Sequence, residues 1–516
     1  MTMIRSIVCI VVVEFIGYYR INRVLEGIEV NDVQRTAIVR ALYNPISIIQ
    51  GPPGTGKTTT ASELISAWLN LHKEWDWRGF PQNIRRVLAV AQSNIAVDQL
   101  FEALLKRGVK AVRVGPQKKI RADLLKYSFE SVLQNDYRIK EVKQKQVLVD
   151  KYADEVQQLK PGTEEYRYHT KNLSRMYNAI EEEYESISLQ VIRSFDVVLT
   201  TCIGSGVDNI EYNRYGMVLV DEAAQATEPE VLVAVKKATS RIVLIGDHHQ
   251  LPPTILSSGK LAEPLRVSLF ERAVRSGIIT ATMLRYQYRM HPFIAEWPNQ
   301  RFYNGDVTLA ALAEESQIDR IMNPSGEIQS DTQSFSYKLQ GSSSSSSNSS
   351  QSSSFPVVFI EVSTGEDAID LDTKSRHNMH EARVVVECLR RLLKSGVEPA
   401  SLGVISPYAS QISKLKQLVE QDVEIKSIES KFNFSVEIKT VDGYQGREKD
   451  LIIMSTVVAN ERGSVGFLKD WRRVNVEDTL SYDPHWGNWL TWIESRGAKT
   501  YAEAAFGDVN GASDLT

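Results

Sequence analysis

The sequence predicts an α/β protein in which two tandem domains are each built on a parallel sheet. The chain has 516 residues, too many for one hydrophobic core, because domains usually contain roughly 100–200 residues. Short β-branched runs alternate with helical patterns over residues 31–120 and again over 281–492, which is typical of βαβ units. A glycine-rich loop directly follows the first of these runs and precedes a helical pattern.

The composition excludes several classes of protein. Hydrophobic residues make up 42% of the chain and charged residues 24%, which excludes wholesale disorder. Lys and Arg number 60 against 64 for Asp and Glu, a net charge of −4, so a basic surface over the whole protein is excluded, although a local groove can be positive. The three cysteines, Cys9, Cys202 and Cys388, are too far apart for a disulfide framework or a CxxC zinc module, which fits a reducing compartment.

The N-terminal segment, residues 1–30, contains an apolar run that resembles a membrane or export signal. Residues 7–13 are unbroken and apolar, but Glu14 ends the run far below the ~20 residues that a spanning helix needs. Bulky residues such as Phe15 and Tyr18 follow, where a signal peptide would have small residues at a cleavage site. Because four of the seven residues are Val, we predict a buried strand and no contact with a membrane.

We predict a first domain over residues 31–275 and a second over 276–498. Residues 121–195 form an insertion in the first domain, because 12 basic and 13 acidic side chains occur in these 75 residues and the strand patterns resume after them. Its single Pro and single Gly are adjacent, as Pro161 and Gly162. This pattern predicts two long charged helices joined by a tight turn, a solvated hairpin with no chemistry of its own.

Two further segments are predicted to lie outside the packed core. Residues 329–354 are expected to form a flexible loop, since 11 of the 13 residues over 342–354 are Ser, and serine this dense cannot bury apolar surface. Residues 499–516 are small and polar, and we expect a frayed tail.

The glycine-rich loop has the pattern of a phosphate-binding loop. It follows a strand predicted over 46–49 and precedes a helix predicted from Thr59 onward, which is the context that the motif requires. Glycines allow backbone N–H groups to close around phosphate oxygens, and Lys57 would reach the β and γ phosphates of a nucleotide while the Thr58 hydroxyl binds Mg²⁺. The predicted nucleotide-binding residues here are Gly51, Pro52, Pro53, Gly54, Thr55, Gly56, Lys57, Thr58 and Thr59.

Two acidic residues follow another predicted strand, over 217–220. Asp221 would hold Mg²⁺ through water, and Glu222 would orient and deprotonate an attacking water. The alternative is that the pair merely caps a helix. We favour the catalytic interpretation because the pair lies downstream of a phosphate loop and at the carboxyl end of a strand, where open α/β sheets bind ligands.

A third predicted strand, over 242–245, is followed by two histidines and a glutamine. Gln250 could sense the γ-phosphate or position water, as glutamines do in other nucleotide hydrolases. His248 and His249 have no Cys or His partners at metal-ligand spacing, so we expect exposed loop histidines rather than metal ligands.

Eight blocks of the sequence occur in the order found in one family of nucleic-acid motors. They are Gln34 and the blocks at 51–59, 91–99, 200–204, 221–229, 246–253, 287–292 and 441–450. The series resembles the superfamily 1B helicases of the up-frameshift and senataxin group, and it covers about residues 31–476. The resemblance implies two RecA-like domains with ATP and Mg²⁺ between them and single-stranded RNA or DNA across their top.

The resemblance also assigns roles to residues at the nucleotide and along the strand. It implies that Gln34 reads adenine, that Tyr288 stacks on the base, and that Arg289 of the second domain reaches the γ-phosphate. Gln445, Gly446 and Glu448 would line the ribose and phosphate side. The implied nucleic-acid contacts are Ser93, Asn94, Thr201, Pro252, Pro253 and Thr440.

The implied nucleic-acid contacts are compatible with the acidic net charge. Hydroxyl, amide and backbone groups grip phosphates and sugars without sequence preference, so a net charge of −4 is no objection. The hairpin at 121–195 is similar to a stalk-like insertion of the family. We expect a monomer in the cytoplasm or nucleus, and the sequence specifies no protein partner.

The sequence departs from the family pattern in three places. We expect the zinc-binding domain and small β-barrel of up-frameshift helicases to be absent upstream of Gln34, and the serine loop is additional. Family members also continue an Arg-Arg-x-Asn-Val block into Ala-x-Thr-Arg-Ala and a hydrophobic strand, whereas here Val476 is followed at once by Glu477. The missing Thr-Arg-Ala segment contains one of two arginines expected at the γ-phosphate. Such an arginine accelerates hydrolysis by ~10³–10⁵, or about 4–7 kcal/mol of activation free energy. The loss of the strand would also leave a sheet edge uncovered.

Two functions remain open from the sequence. The first is an ATP-dependent helicase or translocase that moves 5′-to-3′ on single-stranded RNA or DNA. The second is an ATP-dependent nucleic-acid clamp without effective turnover, which the missing Thr-Arg-Ala arginine favours. The junction between Val476 and Glu477 is either an artefact of the gene model or a real loss of catalysis. A P-loop protein that acts on small molecules is disfavoured by the second domain and the stalk-like insertion.

Overall fold

The computed structural model divides the chain into two units. The first comprises Met1–His248 and Pro252–Arg285, and the second His249–Leu251 and Tyr286–Thr516. The residues that the structure describes are 24–25, 27–73, 84–207, 210, 212–255, 257, 259–309, 357–362, 365–444, 447–458, 491–495 and 499–501.

The first unit is built on a seven-stranded sheet in which every pair of neighbouring strands is parallel. Its strands are β1 (Ile46–Gln50), β2 (Val87–Ala91), β3 (Ala111–Arg113), β4 (Val197–Thr201), β5 (Tyr215–Asp221), β6 (Ala238–Gly246) and β7 (Thr282–Met283). The order across the sheet is β3-β4-β2-β5-β6-β1-β7. Because β6 lies between β1 and β5, the carboxyl ends of β1 and β5 are separated by about two strand spacings of ~4.8 Å.

Helices cover both faces of this sheet. They are α1 (Asp32–Tyr43), α2 (Lys57–Lys73), α3 (Asn94–Lys106), α4 (Phe129–Asn135), α5 (Tyr137–Gln157), α6 (Glu164–Arg193), α7 (Glu228–Val235) and α8 (Leu269–Ser276). Several begin at side-chain caps: the Asn31 side chain accepts from the Gln34 N–H at 2.8 Å, and the Ser93 hydroxyl accepts from the Ala96 N–H at 3.1 Å. Such caps satisfy backbone donors that a helix start leaves unpaired.

The two faces of the sheet carry separate hydrophobic clusters. Ala89 and Leu219 face α1, α2 and α3 in one cluster, whereas their sequence neighbours Leu88 and Val218 belong to the other cluster, with residues of α4, α6, α7 and α8. All seven residues of β5 are buried. Because both faces are covered, the central strands are continuous apolar runs rather than alternating ones, which is why the sequence shows them so clearly.

The charged segment between β3 and β4 forms a helical hairpin. α5 and α6 are joined by a turn in which Gly162 has φ +90°, a conformation that suits glycine. The two helices are linked by a Lys145–Glu183 ion pair at 2.7 Å and by a 2.5 Å hydrogen bond between the Tyr152 hydroxyl and His169 Nδ1. The root of the hairpin is packed into the second hydrophobic cluster of the sheet.

The second unit contains a smaller parallel sheet and several short ladders among its described residues. Its strands are β8 (Tyr286–Gln287), β9 (Thr308–Leu309), β10 (Phe359–Glu361), β11 (Ala368–Ile369), β12 (Arg376–His377), β13 (Leu402–Ser406), β14 (Glu437–Thr440), β15 (Leu451–Met454) and β16 (Lys499–Tyr501). Its helices are α9 (Pro292–Phe302), α10 (Met379–Lys394), α11 (Ala409–Gln421), α12 (Val423–Phe432) and α13 (Val441–Tyr444). The sheet order is β14-β13-β15, with both pairs parallel.

The edge of this smaller sheet is incompletely covered. Within the described residues β15 pairs with β13 on one side only, and its Ile452 side chain is 41% exposed. The junction of Val476 and Glu477 itself lies outside the described residues.

Several predicted boundaries differ from the structure. α2 begins at Lys57 rather than Thr59, because the phosphate loop runs straight into the first helical turn. The predicted polar tail is wrong for its first three residues: 499–501 form β16, which pairs in parallel with β10, and Lys499 forms an ion pair with Glu361 at 2.6 Å. The predicted strand at 7–13 and the serine loop lie outside the described residues.

No helix in the parts of the chain that the structure describes is long and apolar enough to cross a bilayer.

We predict that His72 makes the first unit less stable in mild acid. Burial lowers the pKa of His72 to about 4, whereas the unfolded chain binds this proton near pH 6.5. Below pH 6.5 the unfolded state therefore holds the extra proton, and the free energy of unfolding falls as the pH falls. Between pH 7 and pH 5 this one group should remove about 2 kcal/mol.

Urea unfolding of the protein and of His72→Gln at both pH values tests this expectation. The variant should lose about 2 kcal/mol less than the original protein over this interval. Equal pH dependence in the original protein and His72→Gln would contradict the assignment.

Candidate functional site

The candidate site residues of the first unit meet at the carboxyl edge of its sheet. In the strand register Gln50 lies opposite Gly246, and Ala91 lies opposite both Thr201 and Asp221. The segments that follow these strands therefore start at the same level along one edge. In parallel α/β sheets this edge is where ligands bind.

The phosphate loop closes on itself and on the neighbouring strand. The Gly51 N–H donates to the Gly246 carbonyl oxygen at 2.9 Å, which fixes the start of the loop to the end of β6. The Thr55 hydroxyl donates to the Pro52 carbonyl oxygen at 2.7 Å. Gly54 and Gly56 have φ values of +73° and +79°, a region that L side chains rarely adopt. The loop is therefore held in shape by its own hydrogen bonds and by two glycines in the left-handed region.

Lys57 is held at the mouth of this loop. Its ammonium donates to the Gly51 carbonyl oxygen at 3.0 Å and lies 3.7 Å from Glu222 Oε1, with 10% of the side chain exposed. A Cβ atom added at Gly51 would come within 2.3 Å of Lys57 Cγ. The stem of the lysine therefore occupies the space that the glycine leaves open.

Asp221 is a fully buried carboxyl group at the end of β5. Burial raises its pKa, the neighbouring Glu222 raises it further, and Lys57 opposes both effects. A carboxylate at this depth needs a positive partner to remain ionised. A divalent cation at the site would supply that partner.

The turn after β5 places Glu222 in an unusual backbone conformation. Glu222 has φ +50°, which typically costs a non-glycine residue ~1–3 kcal/mol. The surrounding hydrogen bonds fix the turn: the Glu222 N–H donates to Asp221 Oδ1 at 3.0 Å, and the Ala223 N–H donates to the Ile245 carbonyl oxygen at 2.8 Å. A Cβ atom at Gly246 would lie 3.0 Å from the Ala224 nitrogen, so the turn packs tightly against β6.

The chain's own residues fit a magnesium nucleotide. The glycine-rich loop and the largely buried side chain of Lys57 match a triphosphate. The hydroxyl of Thr58, in the first turn of α2, and the buried carboxyl of Asp221 are oxygen donors of the kind that Mg²⁺ prefers.

Gln34 lies beside the phosphate loop. Its side-chain amide donates to the Thr55 carbonyl oxygen at 3.2 Å, and its Oε1 accepts from the Asn31 N–H at 3.2 Å. A Cβ atom on Gly56 would be 2.6 Å from its Nε2. Gln34 therefore ties the start of α1 to the loop, which is compatible with the predicted adenine contact and also gives the residue a structural role.

Three of the predicted nucleic-acid contacts lie at the carboxyl ends of β2 and β4. Ser93 caps α3, Asn94 begins that helix, and the Thr201 hydroxyl accepts from the Gly204 N–H at 3.1 Å. Asn94 Oδ1 accepts from Arg113 Nη2 at 2.8 Å. The oxygen of the Asn94 amide is therefore occupied by the protein, which leaves its NH₂ group as the donor for a ligand.

The loop after β6 differs in part from the prediction. Gln250 is half-buried, and Pro252 and Pro253 are buried. His248 and His249 are half-buried rather than exposed: the His249 ring stacks 6.3 Å from that of Phe302. The expectation of exposed loop histidines is therefore wrong, because their rings pack against aromatic side chains that sequence spacing does not reveal.

In the second unit the structure brings two predicted residues together. Arg289 Nε lies 2.6 Å from Glu448 Oε2, and both side chains are largely exposed. The loop that carries Arg289 is shaped by Gln287, whose amide donates to the Met290 carbonyl oxygen at 2.8 Å. Tyr288 is exposed at the neighbouring position.

The remaining predicted residues of the second unit are partly described. The Thr440 hydroxyl at the end of β14 accepts from the Gly443 N–H at 3.1 Å. Gln445 and Gly446 lie outside the described residues.

Sequence reasoning missed three residues that hold the candidate site in place. Gln225 Nε2 donates to Glu222 Oε2 at 2.9 Å. The fully buried Arg113 donates to Asp98 Oδ1 at 2.9 Å as well as to Asn94. Gln225 and Asp98 both lie inside sequence blocks that carry the family resemblance, so their membership of these blocks could have indicated a role at the site. Arg113 lies in none of the blocks.

Comparisons with known proteins agree with this architecture. Two family models, each described as an AAA domain, match residues 29–258 and 265–479. The chain is 34% identical over 448 residues to the "Regulator of nonsense transcripts 1 homolog" of Drosophila melanogaster, which covers 87% of this chain and 33% of that protein. It is 32% identical to the "ATP-dependent helicase NAM7" of Saccharomyces cerevisiae, over 87% of this chain and 40% of that protein.

An archaeal protein is similar over a larger share of its own length. An uncharacterised ATP-dependent helicase of Methanocaldococcus jannaschii is 29% identical over 527 aligned residues, 90% of this chain and 70% of that protein. The chain spans only about a third to two fifths of the fly and yeast relatives.

Tandem AAA domains and a phosphate loop on a parallel sheet define a tandem P-loop nucleoside triphosphatase fold. The predicted fold class is thereby confirmed. Within this class the chain is similar to superfamily 1B helicases of the up-frameshift type.

We predict that Gly51→Ala weakens ATP binding about tenfold or more, a change of at least about 1.4 kcal/mol. The added Cβ would lie 2.3 Å from Lys57 Cγ, so the lysine must leave its present position. Gly27→Ala is the matched control, because a Cβ at Gly27 meets nothing within 4 Å. Titration with a fluorescent ATP analogue measures both, and equal affinity of the two variants would contradict the packing assigned to Lys57.

We predict that Gln225→Leu lowers kcat for ATP hydrolysis about tenfold with little change in KM. The substitution removes a hydrogen bond to Glu222 worth about 1–1.5 kcal/mol, and a group that only orients the general base should affect the chemical step rather than binding. Steady-state ATPase assays measure kcat and KM separately. Gln190→Leu, a substitution on the hairpin, is the control. A raised KM with unchanged kcat would contradict the positioning role.

Proposed function

We propose that the protein hydrolyses ATP and couples hydrolysis to movement along single-stranded nucleic acid. The observation that carries the proposal is the meeting of the phosphate-loop lysine with the acidic pair: Lys57 Nζ lies 3.7 Å from Glu222 Oε1, beside the buried Asp221. Two relatives are named ATP-dependent helicases, which supports the same activity for this chain.

The residues of the first unit would divide the chemistry between them. Lys57 would exchange its hydrogen bond to the Gly51 carbonyl for the β and γ phosphates. Glu222, oriented by Gln225, would accept a proton from the attacking water. Thr58 and Asp221 would hold Mg²⁺, which supplies charge neutralisation for the phosphates when bound.

We propose that Arg289 acts on the γ-phosphate after leaving its ion pair with Glu448. Both side chains are largely exposed, and exposed ion pairs are worth only ~0–1 kcal/mol. A polyphosphate can therefore compete for the guanidinium at little cost, and Glu448 keeps the arginine extended until then. The predicted contacts of Tyr288, Gln445 and Gly446 with the nucleotide are part of this proposal.

The nucleic acid is proposed to be RNA or DNA in single-stranded form, with movement 5′-to-3′. The proposed contacts are Ser93, Asn94, Thr201, Pro252, Pro253 and Thr440. The geometry of Asn94 supports such a contact: Arg113 donates to its amide oxygen, which leaves the NH₂ group to donate to the nucleic acid. Such contacts bind sugars and phosphates rather than bases, so we propose little sequence preference.

We propose a monomer that resides in the cytoplasm or nucleus. Cys202 and Cys388 are free buried thiols, and burial raises the pKa of both to about 12, which is compatible with this proposal.

A second candidate function is an ATP-dependent clamp that binds nucleic acid without effective turnover. One feature of the sequence favours the clamp: Glu477 directly follows Val476, so the Thr-Arg-Ala segment of the family is missing there. The phosphate loop and the acidic pair would then bind ATP, and the missing arginine would leave hydrolysis slow.

ATP turnover with and without poly-U RNA separates the two functions. We expect turnover that RNA stimulates and that Lys57→Ala abolishes, since the lysine is the phosphate ligand of the loop. ATP binding is measured in parallel. Turnover no greater than that of Lys57→Ala, with ATP binding intact in the original protein, would reject the hydrolase and support the clamp.

A further inference from the structure

The loop between β3 and the hairpin carries two neighbouring exposed lysines. Lys118 and Lys119 are exposed at the end of a short 3₁₀ helix, Gln117–Lys119. Within the described part of the chain neither forms an ion pair, whereas three other cations of this region do: Lys106 pairs with Glu102 at 2.7 Å and Arg107 with Glu63 at 2.6 Å. Arg121 pairs with Glu102 and Asp123, each at 2.6 Å.

This loop is fixed rather than loosely attached. The Lys119 N–H donates to the Pro116 carbonyl oxygen at 2.9 Å, and the Ile120 N–H donates to that of Gln117 at 3.1 Å. Ile120 is buried in the hydrophobic cluster with α3. The two ammonium groups are therefore presented by an ordered turn, which lowers the entropic cost of binding a ligand.

Both ends of the loop are tied to the start of α3, where the proposed nucleic-acid contacts lie. Before the loop, Arg113 Nη2 donates to Asn94 Oδ1 at 2.8 Å. After it, the Arg121 N–H donates to Asp98 Oδ2 at 3.0 Å, and Asp98 also accepts from Arg113. Lys119 is two residues from Arg121, at most ~7 Å of chain, so the lysines belong to a loop whose two ends are both fixed to the first turns of α3.

We propose that Lys118 and Lys119 bind the phosphate backbone of single-stranded nucleic acid and extend the contact surface beyond Asn94. The inference rests on the proposed function and adds to it a cationic site for two phosphates. Ammonium groups neutralise phosphates and release counterions, which makes binding depend on salt. The hydroxyl and amide contacts at Ser93, Asn94 and Thr201 lack this property, so the lysines supply charge attraction that the predicted set does not.

The test is the salt dependence of binding to a labelled poly-U oligonucleotide of about 12 nucleotides. Lys118→Ala combined with Lys119→Ala should reduce the slope of log K against log salt by about 1.4, because each phosphate contact on a single strand contributes about 0.7. At low salt the affinity should fall about tenfold or more. Lys118→Arg combined with Lys119→Arg should restore both slope and affinity.

The control is a second pair of lysines with the same change in net charge. Lys414 and Lys416 lie on α11 in the second unit, and their double alanine variant should bind as the original protein does. Binding of ATP and the circular dichroism spectrum should be unchanged in both double variants.

Three outcomes would overturn the inference. The first is an unchanged slope and affinity in the Lys118/Lys119 alanine variant. The second is an equal loss in the Lys414/Lys416 variant, which would show a general effect of charge. The third is normal RNA binding with lost binding of an acidic peptide, which would assign the lysines to a protein partner. Failure of the original protein to bind RNA at any salt would instead reject the proposed function.

Discussion

The position of the Lys57 ammonium is the interaction on which the candidate site depends. It lies between the Gly51 carbonyl oxygen, at 3.0 Å, and Glu222 Oε1, at 3.7 Å. The phosphate loop supplies the first contact and the turn after β5 supplies the second. The Lys57 ammonium therefore connects the loop to the turn that carries the acidic pair. Because β6 separates β1 from β5, the long lysine side chain spans the gap that a triphosphate and a water would occupy.

The strained and buried groups of the site are held by the parallel sheet around them. Glu222 adopts φ +50°, and Asp221 is a buried carboxyl whose pKa is raised by burial. Each is unfavourable alone. The hydrogen bond from the Ala223 N–H to Ile245 and the close packing against Gly246 use the end of β6 to fix the turn. The end of β6 therefore stabilises a backbone conformation that local preferences oppose.

Much of this arrangement could be predicted from the sequence because it depends on local patterns. The central strands are continuous apolar runs, and the phosphate loop has a fixed spacing, so the fold class and Lys57 follow from a single sequence. Contacts between distant residues could not be predicted in the same way. Gln225 orients Glu222 through a turn, Arg113 reaches Asn94 across 19 positions, and the half-buried ring of His249 depends on Phe302. These are tertiary contacts, to which neither periodicity nor spacing is sensitive.

The central claim is that the phosphate loop and the acidic pair form one nucleotide site. The most direct test is an experimental structure of the protein with Mg²⁺ and a non-hydrolysable ATP analogue. We expect Lys57 to leave the Gly51 carbonyl oxygen and bind the β and γ phosphates, with Mg²⁺ beside Thr58 and Asp221. A nucleotide bound elsewhere, or a Lys57 ammonium still hydrogen-bonded to Gly51, would contradict it.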